Sequence, residues 1–162
     1  MAQFGIITID NQQYIERVQI FPQDVQVTSN FQILTQQRVT LPGVANFLLK
    51  GLTRETTTNG VSSSNRFKFR LGNSDGTTWY IAGGIGANTD RAMDTVCFGN
   101  GQFPFPIIPP IPYSAGANIL FEIEDLGGSA IPTNGPYVIN LAFHGSYLIP
   151  VASGNGLSTP GT

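Results

Sequence analysis

Two glutamates in the C-terminal half have the residue type and spacing for acid–base chemistry. Glu122 and Glu124 are separated by one apolar residue, so both carboxylates project from the same side of one strand, about 7 Å apart from the strand rise alone. Paired carboxylates at such a separation can hydrolyse glycosidic bonds when they flank a sugar cleft. Glutamates that alternate with apolar residues are more typical of a solvated sheet face, and we interpret this pair as such a face.

The chain has a single histidine and a single cysteine, which leaves few partners for catalysis or metal binding. A general base or a metal ligand works with other titratable groups, and His144 can find only Asp, Glu or Cys97. We expect His144 on the outer face of the last strand and Cys97 as a small buried residue on a strand. The sequence therefore predicts neither an enzyme nor a bound cofactor or metal.

Two glycine-containing turns resemble ligand-binding loops only superficially. The stretch GGIGANTD, residues 83–90, follows a strand pattern, but no helix long enough to face a phosphate group follows it. The stretch NSDGTT, residues 73–78, offers one aspartate where a calcium loop needs several oxygen ligands. We interpret the first as a loop and the second as a hairpin turn.

A basic stripe is predicted on one strand, RFKFRL. Phe67, Phe69 and Leu71 have the spacing of a core-facing row. The other face carries three of the eight cations of the chain, Arg66, Lys68 and Arg70. Such a stripe is either a solvated strand face or a docking surface for an acidic partner. Nucleic-acid binding is not favoured, because the net charge is −2 and neither terminus has a basic arm.

A proline-rich apolar segment covers residues 103–112. Five prolines lie between Pro104 and Pro112. Because proline donates no backbone hydrogen bond, we expect this segment to run extended with little ladder pairing. Its large apolar side chains need cover, either from the open end of the same domain or from another subunit. The predicted contact residues are Phe103, Phe105, Ile107, Ile108 and Ile111.

The composition favours a protein that is part of a larger assembly. Charged residues make up 11% of the chain, against about 25% in an ordinary soluble domain. Lysine, which commonly protects exposed sheet edges, occurs only as Lys50 and Lys68. The edges are therefore expected to be short or covered by other chains.

Apolar residues alternate with period two through most of the chain, which predicts strands. The clearest case is the stretch YVINLAFHGSYLI near the C-terminus. Other predicted strands are Phe4 to Ile9, Tyr14 to Phe21, Phe31 to Leu34, Val44 to Thr57, Arg66 to Leu71, Thr77 to Ala82, Thr95 to Phe98 and Asn118 to Ile123. A short helical turn is possible around Thr89 to Asp94. The predicted fold is an all-β, two-sheet antiparallel sandwich of jelly-roll type.

One domain is expected over residues 1–150, followed by a flexible Gly/Ser-rich tail at residues 151–162. The first ten residues lack a basic segment ahead of an apolar run, and no apolar stretch reaches the length of a membrane helix. We therefore expect a protein made in the cytosol, without contact to a membrane.

Two C-terminal segments together resemble small virion proteins of tailed bacteriophages. They are PFPIIPPIPYSAGANILFEIEDLGG, residues 104–128, and YVINLAFHGSYLIP, residues 137–150. The shared pattern is an apolar proline segment, a strand ending near an acidic residue, and a last strand with a His-Gly pair. The resemblance covers residues 103–150. It implies a β-sandwich without catalytic residues, located in the virion and partnered by the major capsid protein or other virion proteins, with a trimer as the favoured homo-oligomer.

The predicted function is therefore a capsid cement or decoration protein that bridges capsid subunits. One alternative is a carbohydrate- or receptor-binding module of a neck or tail, with Trp79, Tyr80 and Tyr113 as the aromatic contacts. A second alternative is the shell protein of a small virus, although such a protein generally carries a basic arm for RNA.

Overall fold

The alternating apolar residues form strands along most of the described part of the chain. The structure is a computed structural model that describes residues 4–82, 91–99, 103–127 and 136–151. In chain order the elements are β1 (Phe4–Ile9), β2 (Gln12–Val27), β3 (Ile33–Thr40), β4 (Asn46–Thr58), β5 (Val61–Ser62), β6 (Phe67–Gly72), β7 (Trp79–Ile81), β8 (Ala92–Met93), α1 (Asp94–Cys97), β9 (Phe105–Tyr113), β10 (Asn118–Asp125) and β11 (Tyr137–Pro150).

The strands form two sheets. Sheet A has the order β1-β2-β11-β4, and both β9 and β5 pair with the far side of β4. Sheet B has the order β3-β10-β6, and both β7 and β8 pair with β6. The strand pairs within both sheets are antiparallel. The predicted all-β architecture of two antiparallel sheets is confirmed.

The core is built from the inner faces of both sheets. Phe121 of β10 packs on Phe143 of β11 with ring centroids 5.4 Å apart, which joins sheet B to sheet A. Each large apolar side chain buried in this way contributes about 1.5–3 kcal/mol. The largest fully buried side chains are Tyr137, Phe47, Phe67, Phe69, Phe121 and Phe143.

The last strand, β11, lies at the centre of sheet A. It pairs with β2 over its whole length and with β4 over most of it. Near its middle, Gly145 is opposite Leu49 of β4, and a Cβ atom at Gly145 would lie 2.3 Å from the Phe47 ring. Glycine is therefore required here, because any side chain would displace a fully buried phenylalanine.

Two of the sequence predictions around residue 95 are wrong. The segment Thr95 to Phe98 was expected as a strand, but it begins inside the helical turn α1, which closes when the Phe98 N–H donates to the Asp94 carbonyl oxygen. The helical turn expected at Thr89 to Asp94 does not extend over residues 92–93, which form β8. The ion pairs of the Asp94 side chain, described below, hold this region in place of a strand ladder.

Two predicted features lie outside the described residues. They are the glycine loop at residues 83–90 and, apart from Val151, the C-terminal tail. The Val151 N–H donates to the Gln13 carbonyl oxygen at 2.9 Å, so the chain stays attached to β2 up to that point.

Candidate interaction surfaces

The proline-rich segment forms an edge strand, contrary to the expectation of little ladder pairing. Strand β9 pairs with β4 at both of its ends, from Phe105 opposite Leu52 to Tyr113 opposite Phe47. In the middle, residues 107–110 bulge away opposite the single residue Lys50. Proline is tolerated because β4 is the only strand next to β9 among the described residues, so an N–H group is needed on one side alone.

The five apolar residues predicted as partner contacts divide into two groups. Ile111 is buried in the core and Ile107 is half-buried against it. Ile111 was expected on the surface, and the structure does not place it there. Phe103, Phe105 and Ile108 remain exposed, with 71%, 40% and 86% of their surfaces accessible. We call these three residues the β9 patch.

The predicted basic stripe is neutralised by carboxylates within the chain. Arg66 Nε lies 2.8 Å from Asp94 Oδ1, and Arg70 donates to Glu122 at 2.6–2.7 Å. Lys68 lies 3.6 Å from Glu124 on the same face. The sequence predicted the face of these cations correctly but not their partners, since α1 and β10, which carry the partners, are distant from β6 in sequence and adjacent to it in space. The stripe therefore offers little free positive charge to a partner.

The two glutamates of β10 do not form the solvated face that we expected. Glu122 is only 5% exposed and is held between Arg70 and Arg91, with its Oε2 atom 2.6 Å from a guanidinium nitrogen of each. Arg91 also reaches Glu124 at 3.3 Å. Two arginines satisfy one buried carboxylate, so this arrangement is a structural ion-pair network rather than an acid–base pair. Arg91 was missed because it lies outside every strand pattern.

The aromatic residues considered for sugar binding are largely covered. The guanidinium group of Arg70 stacks on Trp79 at 3.9 Å from the ring centroid. Tyr113 is buried and its hydroxyl group donates to the Gly72 carbonyl oxygen at 3.0 Å. Only Tyr80 is exposed, and its ring packs edge-on against Tyr113. A sugar ring stacks on an open aromatic face, and this group offers at most one.

Asp94 is a buried, ion-paired carboxylate that was not singled out from the sequence. It is fully buried and pairs with Arg66 next to sheet B and with Arg54 of β4 in sheet A, at 2.8 and 2.5 Å. The Arg54 guanidinium also lies 5.7 Å from the centroid of the Phe67 ring. A hollow of about 430 Å³ adjoins this cluster and is lined by Arg54, Thr56, Ser63, Thr95 and Phe98 among others. Because the Arg54 charge is already compensated, we interpret Asp94 as a link between the two sheets.

The single histidine is half-buried and the single cysteine is buried. His144 is half-buried on the outer side of sheet A, its Nε2 atom lies 2.9 Å from Thr53 Oγ1, and burial lowers its pKa below the ordinary value. Burial and the neighbouring Asp94 carboxylate raise the pKa of Cys97 to about 11, so the thiol stays protonated at neutral pH. Cys97 is buried as expected, but on α1 instead of a strand.

Comparisons with known proteins give no relative: no protein-family model, no curated protein and no solved structure matches the chain. Within the described ranges, no group of three or more His, Cys, Asp or Glu side chains could hold a metal ion. The only helix of these ranges, α1, is far shorter than a membrane span.

Proposed function

We propose that the chain is a structural component of a virion, a cement or decoration protein that bridges neighbouring capsid subunits. The observation that carries the proposal is the β9 patch. Phe103 and Ile108 keep more than two thirds of their surfaces exposed after the fold has buried a complete core. Large apolar side chains left in water each forgo about 1.5–3 kcal/mol, which a partner surface would recover.

The chemistry of β9 also defines how such a partner would bind. Four of the nine residues of β9, namely Pro106, Pro109, Pro110 and Pro112, lack an N–H donor. An incoming strand would find few donors on this edge, so strand addition is disfavoured. Side-chain contacts made by a stiff segment remain, and they cost little conformational entropy on docking. Many equivalent contacts on a lattice would then add through multivalency.

The order of the strands supports a jelly roll, which is the finer form of the fold that we propose. The pairs β2 with β11, β3 with β10, β4 with β9, and β6 with β7 are nested within one another along the chain. Nested antiparallel pairs divided between two sheets are the arrangement of a jelly roll. Viral capsid domains, lectins and cupins use this architecture. Fold alone does not determine function, so the strand order supports the proposal without replacing the argument from the β9 patch.

Co-sedimentation tests the proposal directly. Expanded capsids of the virus that encodes the chain, stripped of it, are mixed with wild-type protein and with a Phe103→Ser/Ile108→Ser double variant. We expect the wild type to pellet with capsids and the double variant to remain in solution with an unchanged far-UV circular dichroism spectrum. The matched control is Val61→Ser/Val96→Ser, which removes two exposed apolar residues elsewhere and should still pellet.

Two outcomes would contradict the proposal. One is a wild-type chain that does not sediment with capsids, and the other is a double variant that sediments as well as the wild type. Electron microscopy of the particle containing the chain would then show which neighbours it contacts.

A shell protein of a small virus is the second function that a specific observation favours, because the nested strand order is shared with viral capsid domains. The purified chain would then assemble into closed particles without any other protein. Under the cement-protein proposal it stays a small oligomer, so light scattering of the purified chain separates the two.

A further inference from the structure

We propose that β1 binds β1 of a second copy of the chain, antiparallel and about a two-fold axis, so that sheet A continues from one subunit into the other. Strand β1 has no neighbour on its outer side among the described residues. An unpaired strand edge is a template for another strand unless the protein protects it.

The other described edges carry protection that β1 lacks. On the opposite side of sheet A, β9 has four prolines and a bulge, and β5 has only two residues. In sheet B, β3 has an irregular register opposite β10 and a positive φ angle at Gln36, while β7 and β8 have three and two residues. Strand β1 has six residues, FGIITI, without a charge, a proline or a register shift.

A row of isoleucines that ends at the outer edge of β1 indicates what kind of strand would bind there. Ile149 of β11 lies opposite Ile15 of β2, and Ile15 lies opposite Ile6 of β1. Directly opposed residues share one face of a sheet, so the three form a row that starts against the core and ends at the free edge. Ile149 and Ile15 are half-buried, whereas Ile6 at the edge is 70% exposed. A partner strand with an apolar residue opposite Ile6 would complete the row.

A second copy supplies that residue by symmetry. A two-fold axis perpendicular to the sheet at Ile6 places Ile6 opposite Ile6 of the second copy, and each side chain keeps its own face. Phe4 then lies opposite Thr8 of the second copy, and Gly5 lies opposite Ile7. No like charges meet, because β1 has none. The result is a dimer, whereas the virion resemblance implied a trimer, so the measured mass distinguishes the two.

Analytical ultracentrifugation of the full chain is the first test, from about 1 µM to about 1 mM, the range in which weak and moderate dimers dissociate. We expect the wild type to become a dimer as concentration rises. Ile6→Lys should raise the dissociation constant roughly tenfold or more, because two lysines would face each other across the axis. Val61→Lys, a residue of nearly equal exposure on β5, is the matched control and should dimerise like the wild type.

Disulfide trapping tests the register. In an Ile6→Cys variant the two new thiols lie opposite each other across the axis, at the Cβ separation of a cross-strand pair, about 4.5–5.5 Å. Mild oxidation should cross-link this variant, whereas Val61→Cys stays uncross-linked. The native Cys97 is buried and should remain reduced in both.

Three results would overturn the proposal: a wild-type chain that stays monomeric at the highest concentration, a trimer, or a dimer that Ile6→Lys does not weaken. The Phe103→Ser/Ile108→Ser variant should still dimerise, since its substitutions lie beyond β4 on the other side of sheet A. Loss of capsid binding and loss of the dimer are therefore separate failures.

Discussion

The strands β1 and β9 lie at opposite sides of sheet A and are both rich in apolar residues, but they present different chemistry to a partner. Strand β9 lacks N–H donors at four of nine positions and exposes the side chains of Phe103, Phe105 and Ile108 along its segment. Strand β1 keeps every backbone donor and ends an isoleucine row at Ile6. Strand β9 therefore presents exposed apolar side chains to a partner, whereas β1 presents backbone hydrogen-bonding groups.

Apolar composition alone therefore does not define how a strand edge binds. Proline removes strand addition as an option and leaves shape and apolar contact. A proline-free edge without charge permits strand addition, whose hydrogen bonds are largely independent of side-chain identity. A single sheet can in this way recognise two partners of different kinds without competition between them.

Buried and exposed isoleucines of β9 should differ strongly in their contribution to stability. Ile111→Ala should lower the free energy of unfolding by about 2–5 kcal/mol, because it opens a cavity in the core. Ile108→Ala removes the same atoms from an exposed position and should change stability by less than about 0.5 kcal/mol. Urea unfolding of both variants at one protein concentration checks the prediction. Equal losses would mean that Ile108 is covered within its own chain.

Substitutions at Gly99 and Gly5 allow the packing around β9 to be compared with that around β1. A Cβ atom at Gly99 would lie 1.7 Å from the Phe103 carbonyl oxygen and 2.6 Å from the Phe105 nitrogen, so Gly99→Ala should destabilise the chain by about 1–3 kcal/mol. Nothing lies within 4 Å of the corresponding position at Gly5 in β1. Gly5→Ala should therefore be neutral or stabilising by up to about 1 kcal/mol. Thermal unfolding of the two variants measures both, and a Gly99→Ala variant as stable as the wild type would contradict the packing described for β9.

The smallest effect concerns His144, which lies midway between the two edges. Burial lowers its pKa below the ordinary value of 6.5, so the unfolded chain binds a proton more readily than the folded one. The stability that neutral His144 contributes is complete above pH 6.5 and declines as the pH falls through the lower folded pKa. His144→Gln, which can still hydrogen-bond to Thr53, should flatten the decline in this range.

The contribution of Glu16 to stability changes in a different pH range from that of His144. Its pKa is lowered below the ordinary value of 4.5, chiefly by the hydrogen bond from Lys50, so its stabilising contribution is lost only at more acidic pH. Urea unfolding between pH 7 and pH 5 is therefore the informative range. An unchanged slope in His144→Gln would show that another group causes the decline.

The regular strands could be predicted from the sequence because the alternation of apolar and polar residues along a half-buried strand is visible in the sequence itself. The alternation in β6 predicted the buried row of Phe67, Phe69 and Leu71, and all three are fully buried. The bounds of β1 were predicted correctly for the same reason. Strand β2 is longer than predicted, since residues 22–27 include a proline and polar residues that pairing with β11 holds in the sheet.

Contacts between distant residues could not be predicted from local patterns. The partners of Arg66 and Arg70 are Asp94 and Glu122, 28 and 52 positions away in the chain. The burial of Glu122 follows from those partners, because an unpaired carboxylate at that position would be solvated. Likewise, the pairing of β9 depends on the free side of β4, a property of the assembled sheet and not of the proline segment.

The prolines of β9 also have a consequence for how far self-association can go. If two chains join through β1, each outer end of the shared sheet carries β9, which lacks N–H donors at four of nine positions, and β5, which has only two residues. Growth therefore stops at two members instead of continuing into a filament. The same residues that disfavour one mode of recognition would act as the terminators of an otherwise open-ended polymer.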